Sequence, residues 1–489
     1  MQFANFVGPA YRTRSLNANC EACINLYLER MGSAANSPAQ LYSCPGFRTF
    51  ASATESPGRN IWAQNGRCFE VVGAILYELM SDGSLTDRGT VGSDANPATF
   101  ASNGDAGGQL AICSGDQLHI LDLGSNVLTT SLTSGATVVA YIGGYFLVLD
   151  AATSTLRVSD LLDGTSFNPA NVAQRLQGSD RWVALSVNQV GGLIYLIGSQ
   201  TSEVWTPDPS AGSGVPFAPI AGGFLSHGTS APFSVTNVGG SLVWVEENAQ
   251  GSRMVVRSPE GSVALEKIST DAIDFALQGY ATVTDAVGWS YQDQGHQFYL
   301  VTFPSANVTW CFDATEQLWH QRGFWNGPQN RFDAYRPMFH AYAFNKHLVL
   351  DRSTGNTYEA STTLYTDVDG TGIRRLRRAQ VLTGEDGGRF DRYTFFPTFQ
   401  ITQETGVGIE TGQGSDPMVA MRYSNDAGHT FVGPILTPMG KQGQYNARVF
   451  WTPTGAARGG RRVFEAFVSD PVPWSILGAD LPGAYRAVS

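Results

Sequence analysis

Short runs of alternating apolar and polar residues, each followed by a turn-forming segment, recur between residues 59 and 362. The runs read HILDL, YFLVLD, LIYLIGS, MVVRS, FYLVTF and HLVLD. The turn centres between the runs lie at residues 81–83, 123–125, 151–153, 198–200, 259–261, 304–306 and 352–354. Their mean spacing of about 45 residues is close to the period of a four-stranded propeller blade. The pattern predicts an all-β β-propeller, with six blades favoured because one strand set is expected to close the ring, and seven as the alternative.

Helical periodicity is scarce, and the best candidate covers residues 269–278. Ser269 or Thr270 can cap the start of this helix, and acidic residues in its first turn suit the positive end of the dipole. Gly279 directly follows and is a typical helix stop. The sequence therefore predicts one short helix within an otherwise β-rich chain.

The remaining chain does not share the repeat. Residues 1–58 are predicted to be an extended N-terminal arm that packs on a C-terminal platform module. Residues 59–362 are predicted to form the propeller. Residues 363–378 read as an exit linker, after which β-like runs return at 393–402, 418–423, 447–452 and 462–468. Residues 363–489 are accordingly predicted to be a smaller C-terminal β-rich platform module.

Composition supports many strands joined by turns. Of 489 residues, 55 are glycine, 42% are apolar and only 15% are charged, whereas an ordinary soluble domain has roughly 25% charged residues. The net charge is −11, which disfavours a dedicated nucleic-acid binder because such proteins need a basic face. Residues 1–362 carry 18 Lys and Arg against 30 Asp and Glu, whereas residues 363–489 carry 13 against 12. The acidic surplus thus belongs to the predicted propeller and arm.

No segment predicts membrane insertion. The N-terminus, MQFANFVGPAYRTRS, lacks the basic-then-apolar order of an export signal, and the longest apolar stretch, at 138–149, is interrupted by two glycines. Cys20 and Cys23 form a single CxxC, whereas a structural zinc site needs a second such pair. We therefore expect free, partly buried thiols, no metal and no cofactor.

Two groups of arginines are the densest basic features. Arg374, Arg375, Arg377 and Arg378 form one run, and Arg458, Arg461 and Arg462 form a weaker one around two glycines. These side chains either contact phosphates or an acidic partner surface, at a subunit interface or in a DNA channel, or they pack their aliphatic stems on the module. The sequence leaves both interpretations open.

One motif raises an enzymatic alternative. The segment 424–431 matches an Asp-box hairpin through Ser424, Asp426, Gly428, Thr430 and Phe431, in which side chains bind backbone amides across a tight turn.

Asp boxes occur in sialidases, so a propeller-type glycosidase or a carbohydrate-binding tail protein is the alternative function. Only one copy is present, and the acid pairs Glu246–Glu247 and Glu385–Asp386 point to opposite faces if they lie on strands. We therefore expect no catalytic residues and no enzyme activity.

Several stretches resemble one family, the tail hub or nozzle proteins of short-tailed bacteriophages, known as packaged DNA stabilization proteins. The most specific are GHQFYLVTFP at 295–304, TWCFD at 309–313 and LWHQR at 318–322, preceded by TSEVW at 201–205 and ISTDAI at 268–273. The C-terminal module and the arm contribute GKQGQY at 440–445, RVFW at 448–451, RVF at 462–464, SDPV at 469–472, YRTRS at 11–15, CINLY at 23–27 and YSCPG at 42–46. Phe431 stands where the family usually has tryptophan in the hairpin. Residues 59–160 resemble the family only in their general pattern and not in specific motifs.

The resemblance implies a virion structural protein, made in the host cytoplasm and located in the phage tail. Six copies would form a ring below the portal and its adaptor, or head-completion, protein. Such a ring would extend the DNA channel, retain the packaged genome and anchor a tail fibre, spike or plug. DNA would pass through it without sequence-specific binding. The acidic balance adds the hypothesis that carboxylates lining the channel keep DNA from sticking.

Overall fold

The structure of the protein is a computed structural model. It describes residues 1–32, 35, 37–175, 177–208, 210, 214–381 and 393–486. The regular structure is almost entirely strand. The helical segments in these ranges are two α-helices, Gly104–Gly107 and Asp271–Gln278, and two 3-10 turns, Ala4–Phe6 and Pro232–Ser234.

Seven antiparallel four-stranded units follow one another along the chain. Blade 1 contains Gly58–Gln64, Arg67–Val72, Ile75–Leu79 and Leu85–Thr90; blade 2 contains Thr99–Ser102, Gln109–Ser114, Gln117–Asp122 and Leu128–Leu132; blade 3 contains Val138–Ile142, Tyr145–Asp150, Thr155–Val158 and Val172–Gln174. Blade 4 contains Trp182–Asn188, Leu193–Gly198, Ser202–Pro207 and Phe217–Leu225; blade 5 contains Thr236–Val238, Ser241–Glu247, Arg253–Ser258 and Glu266–Lys267; blade 6 contains Val287–Asp293, His296–Phe303, Val308–Asp313 and Leu318–Asn326. Blade 7 contains Pro337–Ala343, Lys346–Asp351 and Asn356–Ser361, and its outer strand is Gly46–Ser52.

The described residues thus form a seven-bladed propeller, and the six-blade preference was wrong. Each predicted turn centre lies in a different blade. The ring closes through a single added strand, because Gly46–Ser52 pairs with Asn356–Ser361 and places Phe47 opposite Ala360. Closure of the ring therefore uses one strand from the N-terminal segment and not a complete set of four strands, so all seven units remain as blades. This closing strand lies inside the segment assigned above to the arm.

The innermost strands surround a central cavity. The first strands of the seven units contribute residues such as Asn60, Val139 and Phe339 to one shared cavity. The second strands are buried between neighbouring blades, as in Leu193–Gly198, where every residue is buried. Such continuous apolar strands form layers of core between blades. Separate apolar clusters lie between blades 1 and 2, 2 and 3, 3 and 4, and 4 and 5.

The C-terminal part is a β-sandwich that includes the arm. One sheet runs in the order Cys20–Ile24, Arg375–Gln380, Val463–Val468, Met418–Ser424 and Val432–Pro438. The facing sheet runs in the order Leu26–Arg30, Ala39–Ser43, Ile476–Asp480, Phe399–Gln403 and Val449–Trp451. Short strands complete the region: Tyr11–Arg12 beside the arm, Arg331–Ala334 beside blade 6, and Ala456–Arg458, Tyr393–Phe395 and Tyr485–Arg486 in a small sheet.

Aromatic rings fill the space between the two sandwich sheets. The rings of Phe399 and Phe464 stack with centroids 4.3 Å apart, and Trp451 stacks on Phe399 at 5.5 Å. Phe3 and Phe6 of the arm contact Phe399 at 6.2 and 5.4 Å. The first residues of the chain are therefore part of the sandwich core.

The predicted helix is confirmed as Asp271–Gln278. Thr270 is its N-cap, with its hydroxyl accepting a hydrogen bond from the Ile273 amide at 3.4 Å, and Gly279 follows the last turn. The helix buries Ala272, Ile273 and Leu277. No helix in the described ranges is long and apolar enough to cross a membrane.

Candidate functional site at the joint of propeller and sandwich

The propeller and the sandwich share one continuous sheet. The arm strand Cys20–Ile24 pairs in parallel with the outer strand of blade 6, with Ile24 opposite Gln321. The same strand pairs antiparallel with Arg375–Gln380 of the sandwich. We call these three strands the joint. Blade 6 and the sandwich are thus linked by backbone hydrogen bonds rather than by a free linker.

Asn25 fixes the chain where it leaves the joint. Its backbone is left-handed, with φ +56°, a conformation that asparagine tolerates better than most residues. Its side-chain amide donates to the carbonyls of Gly323 at 2.8 Å and Arg374 at 2.9 Å, and its oxygen accepts from the Gly323 amide at 2.9 Å. One polar side chain thereby satisfies backbone groups of both the propeller and the sandwich.

Arg377 is fully buried and binds the backbone of the arm. Its guanidinium donates to the carbonyls of Asn5, Phe6 and Pro9 at 2.6 to 2.7 Å and to Ala22 at 3.3 Å. The carboxylate of Glu21 lies 3.4 Å from Nη2. Because a fork of N–H groups matches several acceptors at once, one arginine holds a long stretch of irregular chain.

Arg375 and Arg462 are also buried, each about 1% exposed, and their hydrogen bonds go to neutral acceptors. Arg375 donates to the carbonyls of Ile373, Asp470 and Val472 and to the Ser43 hydroxyl. Arg462 donates to the Thr454 carbonyl at 2.7 Å and lies between the aromatic rings of Phe396, Tyr423 and Phe464, 4.6 to 5.2 Å from their centroids. Burial lowers the pKa of each guanidinium to about 10, so both stay charged at neutral pH.

Arg374 links the two units directly. Its guanidinium lies 3.7 Å from the ring centroid of Trp325 in blade 6 and 3.8 Å from that of Phe467 in the sandwich. Burial, together with the nearby charge of Arg422, lowers the pKa of Arg374 to about 10. A cation held between two aromatic faces makes favourable contacts with both.

Arg378 and Arg422 share one carboxylate. Glu465 is fully buried and accepts a hydrogen bond from Arg378 Nε at 2.7 Å and another from Arg422 Nε. Both guanidinium groups also lie 4.9 Å from the ring centroid of Phe431, the last residue of the Asp-box motif. Two positive charges thus face one negative charge on this face of the sandwich.

The Asp-box residues form the turn between Met418–Ser424 and Val432–Pro438. Asp426 accepts hydrogen bonds from the Ser424 hydroxyl at 2.6 Å, the Thr430 amide at 2.8 Å and the Thr430 hydroxyl at 2.6 Å. The Gly428 amide donates to the Ser424 hydroxyl at 2.8 Å, and Gly428 has φ +91°. Burial opposes ionisation of Asp426, but these hydrogen bonds outweigh it and place its pKa below the usual range. The motif acts here as a turn-former.

The two arginine groups of the sequence are only partly brought together. Arg375, Arg377 and Arg462 lie inside the chain, so the interpretation of a partner-facing or DNA-facing patch needs correcting for these three. Arg374 and Arg378 are half-buried at the joint, whereas Arg458 and Arg461 are exposed. Glu21 and Glu465 pair with these arginines and Arg422 shares Glu465, but all three were missed, because the pairings join segments that are far apart in the sequence.

Other candidate groups have local partners. Glu246 is buried against His227, at 2.8 Å, and Glu247 pairs with Arg253, so the two carboxylates serve different contacts. Glu385 and Asp386 lie outside the described residues. Cys20 and Cys23 are buried free thiols whose pKa burial raises to about 11. Among the described residues, no group of three or more His, Cys, Asp or Glu is placed to hold a metal ion.

Comparison with known families decides the identity. The family model of the β-propeller of bacteriophage P22 Gp10 matches residues 20–365, and that of the β-sandwich of the same protein matches residues 391–482. The chain belongs to the bacteriophage P22 Gp10 family. Members are packaged DNA stabilization proteins of the phage tail hub, so this Gp10-family chain is a structural component of a phage tail and assembles with other virion proteins. The match to the propeller begins at residue 20, which agrees with the arm strand that joins blade 6.

No curated protein matches the chain. Among solved structures, a streptogramin B lyase covers 71% of this chain and 99% of its own, with 10% identity and a TM-score of 0.42. The N-terminal domain of Nup159 covers 70% of this chain and 98% of its own, with 10% identity and a TM-score of 0.39. Similarities this distant carry no functional argument.

Proposed function

We propose that this tail hub protein forms a six-membered ring beneath the portal and its adaptor protein. In that position it extends the DNA exit channel, retains the packaged genome and anchors a tail fibre, spike or plug. DNA passes through the ring without sequence-specific binding. The chain is made in the host cytoplasm and is built into the particle during assembly.

The observation that carries this proposal is the continuous sheet at the joint. A hub has to hold the elements above and below it in fixed relative positions while DNA lies in its channel. A flexible linker would let the propeller and the platform move independently, whereas shared strands resist bending. Arg374 and Asn25 add contacts that involve both units. The joint is suited to a load-transmitting role.

The acidic surplus supports a second part of the proposal. Residues 1–362 have an excess of 12 acidic residues, whereas the C-terminal module is close to neutral. A wall of carboxylates repels phosphates, so DNA slides past it instead of binding. We propose that the acidic part of the chain contributes to the wall of the channel.

The test is quantitative mass spectrometry of purified particles, with this protein counted against the portal. Half as many copies as portal subunits are expected for a six-fold ring beneath a twelve-fold one. Particles that lack the protein should lose their DNA after packaging, which nuclease sensitivity measures. Full retention of DNA without the protein, or its absence from wild-type particles, would overturn the proposal.

A further inference from the structure

An apolar cleft lies beside the joint. It has a volume of about 570 Å³ and lies between the helix Asp271–Gln278, the arm strand, blade 6 and the first sandwich sheet. Its floor contains Ile24, Trp310 and Leu376, each less than a tenth exposed, and Phe275 stands at its edge with 43% of its surface exposed. We call this feature the joint cleft. It is roomy enough for two aliphatic side chains.

The rim of the joint cleft is positively charged in an otherwise acidic protein. Arg12, Arg331, Arg378 and Arg422 contribute to its lining. Arg331 pairs with Asp333, and Arg378 and Arg422 share Glu465, while the nearby Glu21 pairs with the buried Arg377. Among the described residues, Arg12 has no acidic side chain within 4 Å, and the Arg378–Arg422 pair carries one charge more than Glu465 balances. A ligand that matches this cleft has apolar groups flanked by about two negative charges.

The chain itself carries a segment of that description on the far side of the propeller. Residues 160–163, Asp-Leu-Leu-Asp, form a loop between the third and fourth strands of blade 3, which we call the dileucine loop. Leu161 and Leu162 are 60% and 41% exposed. The flanking carboxylates accept hydrogen bonds from neutral donors: Asp160 from Ser166, and Asp163 from Thr165 and Gln109. Their two negative charges are not neutralised by these bonds.

The backbone of the dileucine loop is held in an unusual conformation. Leu162 has φ +59°, a left-handed conformation that is rare for a bulky aliphatic residue. Its amide donates to the Gly144 carbonyl of the same blade at 2.8 Å, and its carbonyl accepts from the Asn103 side chain of blade 2 at 3.0 Å, so its own blade and one neighbouring blade fix it. Strain of this kind persists where the surrounding structure imposes it. The loop conformation exposes both leucines to solvent, although burial of apolar side chains is favourable.

We propose that the dileucine loop of one copy docks into the joint cleft of a second copy. The two leucines fill the apolar floor, and Asp160 and Asp163 face the surplus arginine charge on the rim. Blades 3 and 6 lie three places apart around the seven-bladed propeller, so the two surfaces are different and separated. The contact is head-to-tail, the kind that builds rings rather than two-fold dimers. This inference rests on the proposed self-assembly of the hub and names the surfaces that carry it.

A charge exchange between two variants of the full chain tests the contact. Asp160→Arg with Asp163→Arg reverses the loop, and Arg12→Glu with Arg331→Glu reverses the rim. Each variant alone should self-associate at least about tenfold more weakly than wild type in sedimentation velocity, because like charges then face each other. A mixture of the two should recover association, because a basic loop meets an acidic rim and an acidic loop meets a basic rim.

Two further variants and a measurement of thermal unfolding separate loss of docking from misfolding. Leu161→Ser leaves every charge in place and should weaken association through lost apolar burial alone. Asp82→Arg, the same reversal at an exposed turn of blade 1, is the matched control and should leave association unchanged. Thermal unfolding of each variant checks that the chain remains folded.

Cross-linking in assembled particles distinguishes this inference from the proposed ring. Leu161→Cys and Phe275→Cys, combined in one chain, should give an inter-chain disulfide, whereas either cysteine alone should not; the six native cysteines are buried. Six copies per particle with no such cross-link, or association that ignores charge reversal, would overturn the docking and leave the ring intact. Absence of the protein from particles would overturn both.

Discussion

Two buried arginines, Arg59 in the propeller and Arg377 at the joint, use the same chemistry over very different distances along the chain. Arg59 donates to the carbonyls of Gly73, Gly92 and Asn96 and to the Ser114 hydroxyl, at separations of 14 to 55 residues. Arg377 donates to carbonyls that lie 355 to 372 residues away. The propeller is built from contacts between neighbouring blades, whereas the joint brings the N-terminal arm and the C-terminal part together beside blade 6.

This difference has a consequence for how each region fails. A blade depends mainly on its two neighbours, so damage to one contact is shared by a repeating structure. The joint depends on residues 1–30 and 375–480 being present together, and its polar groups are satisfied only when both segments have arrived. We therefore expect substitutions at the joint to cost more than comparable substitutions in the propeller.

The largest effect is expected from Arg377→Met. The substitution keeps much of the side-chain volume but leaves the carbonyls of Asn5, Phe6 and Pro9, together with the carboxylate of Glu21, without their shared donor. Removing one partner from a buried ionic network costs about 3–5 kcal/mol of the free energy of unfolding. Urea unfolding measures the loss, and limited proteolysis should show the first residues of the chain released from the sandwich.

Arg461→Met is the matched control, because Arg461 is exposed and the chemical change is the same. Its free energy of unfolding should stay within about 0.5 kcal/mol of wild type. Equal effects of the two substitutions would show that the carbonyl contacts of Arg377 do not hold the arm.

Replacing a buried carboxylate of the propeller should raise the free energy of unfolding instead of lowering it. Glu70 is fully buried in blade 1, and its only donor among the described residues is the Thr357 hydroxyl of blade 7, at 2.6 Å. Burial raises its pKa from 4.5 to about 7. The folded state therefore holds the proton more tightly than the unfolded state. Stability attributable to this group falls as pH rises from about 4.5 to about 7 and stays low above that range.

Glu70→Gln should remove this pH dependence. At pH 8 the free energy of unfolding of the variant should exceed that of wild type by up to about 3 kcal/mol. This difference should shrink toward pH 5. Glu78→Gln in the same blade is the control of opposite sign. Although burial opposes ionisation of Glu78, hydrogen bonds from Arg67 and Arg88 lower its pKa, so its replacement should destabilise the protein at neutral pH. A pH-independent difference between wild type and Glu70→Gln would refute the assignment.

The contrast between the two regions also explains what the sequence could predict. Each blade is marked by alternating runs and a turn within about 45 residues. Local patterns were therefore sufficient to predict the propeller and the helix after Thr270. The blade count was not, because closure depends on Gly46–Ser52 pairing with Asn356–Ser361. No local pattern at either strand indicates that they meet.

The joint could not be predicted from the sequence either, because it also depends on pairing between distant segments. Arg375 and Arg377 stand in a basic run that suggests a solvent-facing patch, yet both point inward because strands Cys20–Ile24 and Val463–Val468 flank them. Glu465 and Arg422 join Arg378 only after three separate strands pair side by side. The sequence shows which residues are charged, but their burial follows from pairings between distant segments.

A smaller effect is expected at Arg374, one of the side chains that contact both the propeller and the sandwich. Arg374→Leu removes the cation from between Trp325 and Phe467 while keeping an apolar contact. The loss should be about 1–2 kcal/mol, the range of partly buried cation–aromatic contacts. Differential scanning calorimetry should show the melting of propeller and sandwich separating, because this contact couples them. Arg458→Leu, which removes a cation above Tyr393 within the sandwich alone, should leave the coupling unchanged.

The smallest effect belongs to Asp426 of the Asp-box turn, because its hydrogen bonds go to Ser424 and Thr430 within the same turn. Asp426→Ala removes the acceptor for the Thr430 amide and hydroxyl and for the Ser424 hydroxyl, at a cost of about 1 kcal/mol. Asp426→Asn keeps an acceptor oxygen but no charge and should cost less. The carboxylate has a lowered pKa, so its contribution is present at neutral pH and is lost as pH falls below the ordinary range of an aspartate. Urea unfolding of wild type and Asp426→Ala should therefore converge in acid. A loss as large as that of Arg377→Met would mean that the turn, rather than the paired ends of the chain, holds the sandwich together.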